Sequence, residues 1–189
     1  SFVLGGDVLH YWNRGLRDYY RPPIRPDDRK TWEFQAVLRG RILPYGPRLE
    51  PRVPKSKTMW ILPPESVHGW SGVRGEHAQI VVFHFSDVAE TLRTLFGSQA
   101  TPAVSLDDTA IAEIEELVKL AARIFHEQTA LSFLQFRSMA DRLAVIAAER
   151  LPSAYGLPDV EREELLVSRA EAILRAEADS LISVWELAH

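Results

Sequence analysis

The feature that most constrains this chain is a change of composition near residue 105. Ten of its 12 prolines, nearly all its glycines and every tryptophan except Trp185 come before that point. Breakers at such spacing cut the first part into short pieces, which favours an all-β sandwich or barrel. Behind it run Ala/Leu/Glu/Arg-rich stretches whose apolar residues recur at helical spacing. With 189 residues the chain has room for one full domain and part of another, or two small ones.

In the first part, "TWEFQAVLRGRI" reads as a strand followed by a turn at Gly40. "KTMWIL" is a short apolar run ended by Pro63-Pro64, which cannot both sit in a central strand. "EHAQIVVFHF" carries the strongest strand signal, and Val81-Val82-Phe83 suits a strand covered on both faces. Outer strands are expected around Gly5-Gly6 in "SFVLGGDVLHYW". Alternation on the strand from Trp32 puts Phe34, Ala36 and Leu38 with it on one face, and Glu33, Gln35 and Val37 on the other. The first set suits a filled core and the second a polar cavity. The loop "RDYYRPPIRPDDRK" reads as a lid or a surface crossing, with Arg21 and Arg25 in a proline-stiffened stretch.

Two helices are expected at 108–127 and 133–151. The first repeats Ile111, Ile114, Leu117/Val118, Ala121 and Ile124/Phe125, with Asp107 or Asp108 as its cap. The second repeats Phe136, Met139/Ala140, Leu143 and Ile146/Ala147, with Ser132 as cap and Gln135 completing a capping box. A third is expected near Glu161 to Ala176. In the final "SLISVWELAH", Ser183 and Glu186 again have capping-box spacing, with Ile182 and Leu187 placed as a hydrophobic staple. A helix, a short turn and a freshly capped helix outline the start of a helix-turn-helix, although an ordinary two-helix corner has the same spacing.

Net charge is -4 and no long basic segment occurs, so the chain lacks an electrostatic footprint for nucleic acid. With no cysteines, disulfides, thiolate metal sites and cysteine nucleophiles are excluded. The opening residues lack the pattern of a signal peptide, and no apolar run is long enough to span a membrane. A cytoplasmic location is the default expectation.

Several segments together resemble the AraC family of transcription regulators. "FQAVLRGRI" resembles the first hairpin of that family's sensor, "MWILPPESVHGW" its strand, proline turn and histidine, and "QIVVFHFSD" its strand ending in His-Phe. "SRAEAILRAEADSLISVWELAH" is similar to the first helix of the DNA-binding domain and the start of the next. The resemblance implies a cupin-like barrel (a double-stranded β-helix) at 1–105, followed by α-helices, α+β in all. It implies a helical dimerisation segment at 106–152, and at 153–189 a linker and the truncated start of a helix-turn-helix domain. The DNA-reading helix would lie beyond His189, leaving no DNA-binding residue in this segment. The expected function is then the sensor and dimerisation part of a regulator, working as a homodimer with a small-molecule effector and without membrane contact.

Cupin enzymes also raise a metal-dependent alternative. Glu33, seven residues before Gly40, has the spacing of those enzymes' first motif, and "PPESVH" parallels the second with Glu65 in place of glycine. Of the four expected ligands only Glu33 and His68 remain, with His84 as a weak third; metal sites ordinarily need three or more. No cofactor is therefore expected. A structural role for His68 after the proline turn is the simpler reading, and His84, alternating with Ile80 and Val82, is expected to face an apolar layer. No catalytic serine order, phosphate loop or dinucleotide fingerprint occurs, so enzyme activity is not expected. The tryptophans point instead to an aromatic wall for a carbohydrate-like effector. Candidate ligand contacts are Trp12, Arg29, Glu33, Gln35, Trp60, His68 and Trp70. A third possibility is a filled, ligand-free dimerisation module.

Overall fold

Gly40 redirects the chain between two sheets. It adopts φ +71°, and a β-carbon there would fall 2.4 Å from the carbonyl oxygen of His77, so only glycine makes this turn without strain. The strand before it and the strand after it belong to different sheets. These features come from a computed structural model, which describes residues 9–47, 49, 53–89, 92–93, 103–126 and 129–151.

The described strands are β1 (Leu9–Arg17), β2 (Ile24–Asp28), β3 (Trp32–Arg39), β4 (Ile42–Tyr45), β5 (Thr58–Leu62), β6 (Val67–Gly72), β7 (Ala78–Phe85) and β8 (Ala103–Ser105). The described helices are α1 (Asp108–Ile124) and α2 (Ala130–Ala148), making the fold α+β. One sheet has the order β1-β7-β3-β5-β8 and the other β2-β6-β4.

Among the described residues the expected closed cupin-like barrel does not form. Both sheets are open, the larger ending at β1 and β8 and the smaller at β2 and β4. Both edge strands of the smaller sheet contain a proline, Pro26 in β2 and Pro44 in β4. Proline has no amide hydrogen to donate, which confines it to edges and interrupts the ladder that closure requires. The larger sheet ends at β8 in a strand of three residues.

β3 lies between β5 and β7 and is buried on both faces. On the face of Phe34 and Ala36, the strand register adds Phe83, Val81, Ile61 and Met59. Trp12 on that face meets Phe125 edge-on at 6.5 Å between ring centroids, and Arg14 pairs with Glu115 of α1. α1 therefore covers this side. On the opposite face Val37, Trp60, Leu62, Ile80 and Val82 join Ile42 and Trp70 in a core between the sheets. Trp60 and Trp70 pack edge-to-face at 5.3 Å there. The two sheets meet through side chains.

Asp107 caps α1 by accepting the amide of Ala110 at 2.7 Å. The cap of α2 is Thr129, three residues ahead of the expected Ser132; Ser132 answers it in a reciprocal capping box. The apolar stripe expected on α2 is buried, while Leu131, Leu134 and Val145, which lie outside it, remain exposed. No helix among the described residues is long and apolar enough to cross a membrane. The strands expected around Gly5-Gly6, the third helix near 161–176 and the segment at 153–189 lie, wholly or in part, outside the described residues.

Candidate functional site

Alternation on β3 places Glu33 on the face toward the smaller sheet, where its carboxylate is fully buried. A charge in that position must be satisfied on every side. The partners come from three elements. His68 and Trp70 alternate on β6, so both side chains reach the same carboxylate: Trp70 Nε1 donates to Oε1 at 2.9 Å, and His68 Nε2 lies 3.0 Å from Oε2. His84, opposite Glu33 on β7, places Nε2 3.3 Å from Oε2. Arg29 follows β2 and donates from Nη1 to Oε2 at 2.5 Å.

The double-proline turn helps to hold that arginine. Glu65, at φ +64°, donates its backbone amide to the carbonyl of Arg29 at 2.7 Å. His68 Nδ1 donates to the carbonyl of Ser66 at 2.7 Å. Its Nε2 then faces the Glu33 carboxylate, 3.0 Å from Oε2. Burial pushes the Glu33 carboxyl upward, but hydrogen bonds from His68 and His84 and the charge of Arg29 outweigh that penalty. They hold it well below the usual carboxylate range.

Beside this cluster lies a pocket of about 450 Å3. Glu33, Gln35 and His84 form part of its wall, and Ile80 and Val82 add apolar surface. β1 supplies Tyr11, Asn13 and Arg17, with Tyr19 just after it, while Arg29, Ile24 and Trp70 close the other side. Arg17 stands 5.2 Å above the Tyr19 ring. Burial pushes the Tyr19 phenol upward, against an opposing pull from the Gln35 amide. That amide is near enough to act on the phenol, yet its Nε2 is not placed to complete a hydrogen bond with any described group.

Of the expected ligand contacts, Arg29, Glu33, Gln35 and Trp70 line this pocket. His68 stands behind Glu33 as its support. Trp60 is the cross-strand neighbour of Gln35 but lies within the core. Trp12 is on the helix side, turned away by the alternation that turns Tyr11 and Asn13 toward the pocket. His84, expected in an apolar layer, reaches the charged cluster and the pocket. Tyr11, Asn13, Arg17 and Tyr19 were not foreseen. The alternating polar residues of "YWNRGLR" are the signal that marks Tyr11, Asn13 and Arg17.

The metal alternative at Glu33, His68 and His84 is not supported. Among the described residues no group of three or more His, Cys, Asp or Glu is arranged to hold an ion. The Arg29 guanidinium already sits on the oxygen that both histidines approach.

No protein-family model matches the chain, and no curated protein matches it in sequence. The resemblance to AraC regulators is thereby corrected. Its sensor would be a closed barrel, whereas both sheets here are open, and neither comparison supports a helix-turn-helix domain. Two readings built on that barrel fall with it: the regulatory sensor and the metal-dependent cupin enzyme.

Proposed function

We propose that this chain binds a small polar molecule, without transforming it, in the pocket between the two sheets. The saturation of Glu33 supports this reading. Both carboxylate oxygens already accept from neighbours, and those neighbours hold the carboxyl below its usual range, which makes Glu33 a poor base toward a substrate. The cluster instead stiffens one wall, as a binding site requires. Thr31, His84 and Glu33 do follow the order of a hydroxyl, base and acid, with Thr31 Oγ1 3.4 Å from His84 Nδ1. Thr31 is not part of the pocket wall, so that arrangement serves to orient His84. The volume lies in the range of ordinary ligand sites and suits a single sugar ring.

The test is a calorimetric and NMR screen of monosaccharides and small polar metabolites against the intact chain and an Asn13→Trp variant. Asn13 is on the pocket wall and exposed at the edge of the larger sheet, where an indole can block the site without entering the core. Binding that the variant abolishes is the expected result. Ligands that bind both proteins equally would place the site elsewhere.

A further inference from the structure

Resting on the pocket reading above, we infer that the ligand carries a carboxylate, received by Gln35 with the help of Arg17 and Arg29. Gln35 is 3% exposed and lines the pocket, yet its Nε2 has no hydrogen-bond partner among the described residues. A buried amide donor left in that condition calls for an acceptor. Trp60, directly opposite Gln35 in the strand register, also has a buried Nε1 without a described partner. Two neighbouring positions of the sheet thus hold unused N–H groups.

Glu33, the one carboxylate among the residues that line the pocket, is by contrast already engaged on both oxygens. Glu33 receives Trp70 on one oxygen, and Arg29, His68 and His84 on the other. The guanidiniums retain capacity. Arg29 engages Glu33 and approaches His84 through Nη1, and Arg17 gives one nitrogen to the carbonyl of Pro22 at 3.3 Å. Each guanidinium carries five N–H groups, so several are left over. A neutral sugar brings no charge to answer the two guanidiniums, Arg17 and Arg29, that line the pocket. A carboxylate only accepts, and planar guanidinium and amide groups suit its two oxygens. A phosphate dianion would carry a heavier desolvation penalty beside the buried Glu33 carboxylate.

Paired ligands that share one ring isolate the acid group. Glucose and galactose, their uronic acids and their 6-phosphates are titrated by calorimetry at constant ionic strength. Each uronate is expected to bind about tenfold tighter than its parent sugar, the value of one good charge-assisted contact. Gln35→Met, which keeps the volume and removes the donor, should bring each uronate down toward the affinity of its parent sugar. Arg17→Gln, on the exposed edge of the sheet, should erase much of that advantage and gives a second reading if Gln35→Met does not fold. Equal affinity for parent and uronate, tighter binding of the phosphate, or no binding by any uronate overturns the carboxylate. Parent-sugar binding that Asn13→Trp still blocks would leave the pocket reading standing in each of those cases. Binding of the whole panel unaffected by Asn13→Trp would remove the pocket itself.

Discussion

β3 has two buried faces that reach the same degree of burial by opposite means. Toward the helices, Phe34 packs edge-to-face on Phe85 at 5.8 Å, Phe85 stacks on Phe83, and Phe34 and Ala36 leave no charge to satisfy. Toward the smaller sheet, Glu33 and Gln35 bury a carboxylate and an amide. The first face is held by area and shape, which any well-fitting hydrocarbon supplies. The second depends on four named donors arriving from β6, β7 and the segment after β2. An apolar face tolerates local rearrangement; a buried polar cluster is costly when any member is missing. That asymmetry suits a molecule with one face given to stability and the other to a ligand.

The largest effect should come from removing the centre of the polar face. Glu33→Ala leaves Arg29, His68 and Trp70 without their acceptor, and breaking a buried pair this way costs ~3–5 kcal/mol. Urea unfolding should show a large fall in midpoint with little change in slope. A loss of only a few tenths of a kcal/mol would mean that the cluster contributes nothing beyond its volume.

Next comes the response to acid, which separates the two faces cleanly. The folded-state pKa of Glu33 lies below its ordinary value of 4.5, so its contribution is fully present above that value. It is lost as pH falls below 4.5 toward the folded value. The difference in stability between wild type and Glu33→Gln should therefore shrink steadily below that pH. Taking the difference removes the other carboxylates, among them the lowered Asp107 and Glu76. Phe34→Leu, on the other face, is expected to cost ~1–2 kcal/mol, with no pH dependence of its own.

How far this contrast was legible in the sequence depends on the range of the interactions. Alternation along "TWEFQAVLR" separates the two faces of β3 without any structure, and Glu33 and Gln35 stand out on it as polar residues in an apolar run. Gly40 marks its turn for the same local reason. Barrel closure is a matter of which distant strands pair, and local pattern does not contain it. Pro26 and Pro44 were nevertheless readable as edge markers, and weighing them would have argued against closure. Trp12 was misplaced because its size drew notice while the parity of its strand was left undecided. Arg17 and Tyr19 enter the pocket only because β1 pairs with β7, a contact between residues far apart in the chain.

The cap of α2 offers a smaller test on the helical side. Thr129→Ala should cost ~1 kcal/mol, the usual value of a lost N-cap, and Ser132→Ala less, because the threonine oxygen still receives the amide of residue 132. Thermal unfolding followed at 222 nm would rank the two. The reverse order would restore Ser132 as the cap.

The smallest effect gives the sharpest form of the comparison, because the same chemistry occurs on both sides of the larger sheet. Arg14 and Glu115 form an arginine–carboxylate pair at 2.9 Å on the helix side, with side chains 44% and 27% exposed. Arg29 and Glu33 form one on the other side, with 18% and 0%. Water screens the first pair and competes for its hydrogen bonds, whereas the second has neither alternative. A double-mutant cycle on Arg14 and Glu115 should give ~0.2–1 kcal/mol of coupling that fades with added salt. The cycle on Arg29 and Glu33 should give a larger coupling that salt hardly alters. If the two couplings were equal and equally salt-sensitive, burial would not be what separates the faces of β3, and the pocket would lose its rigid wall.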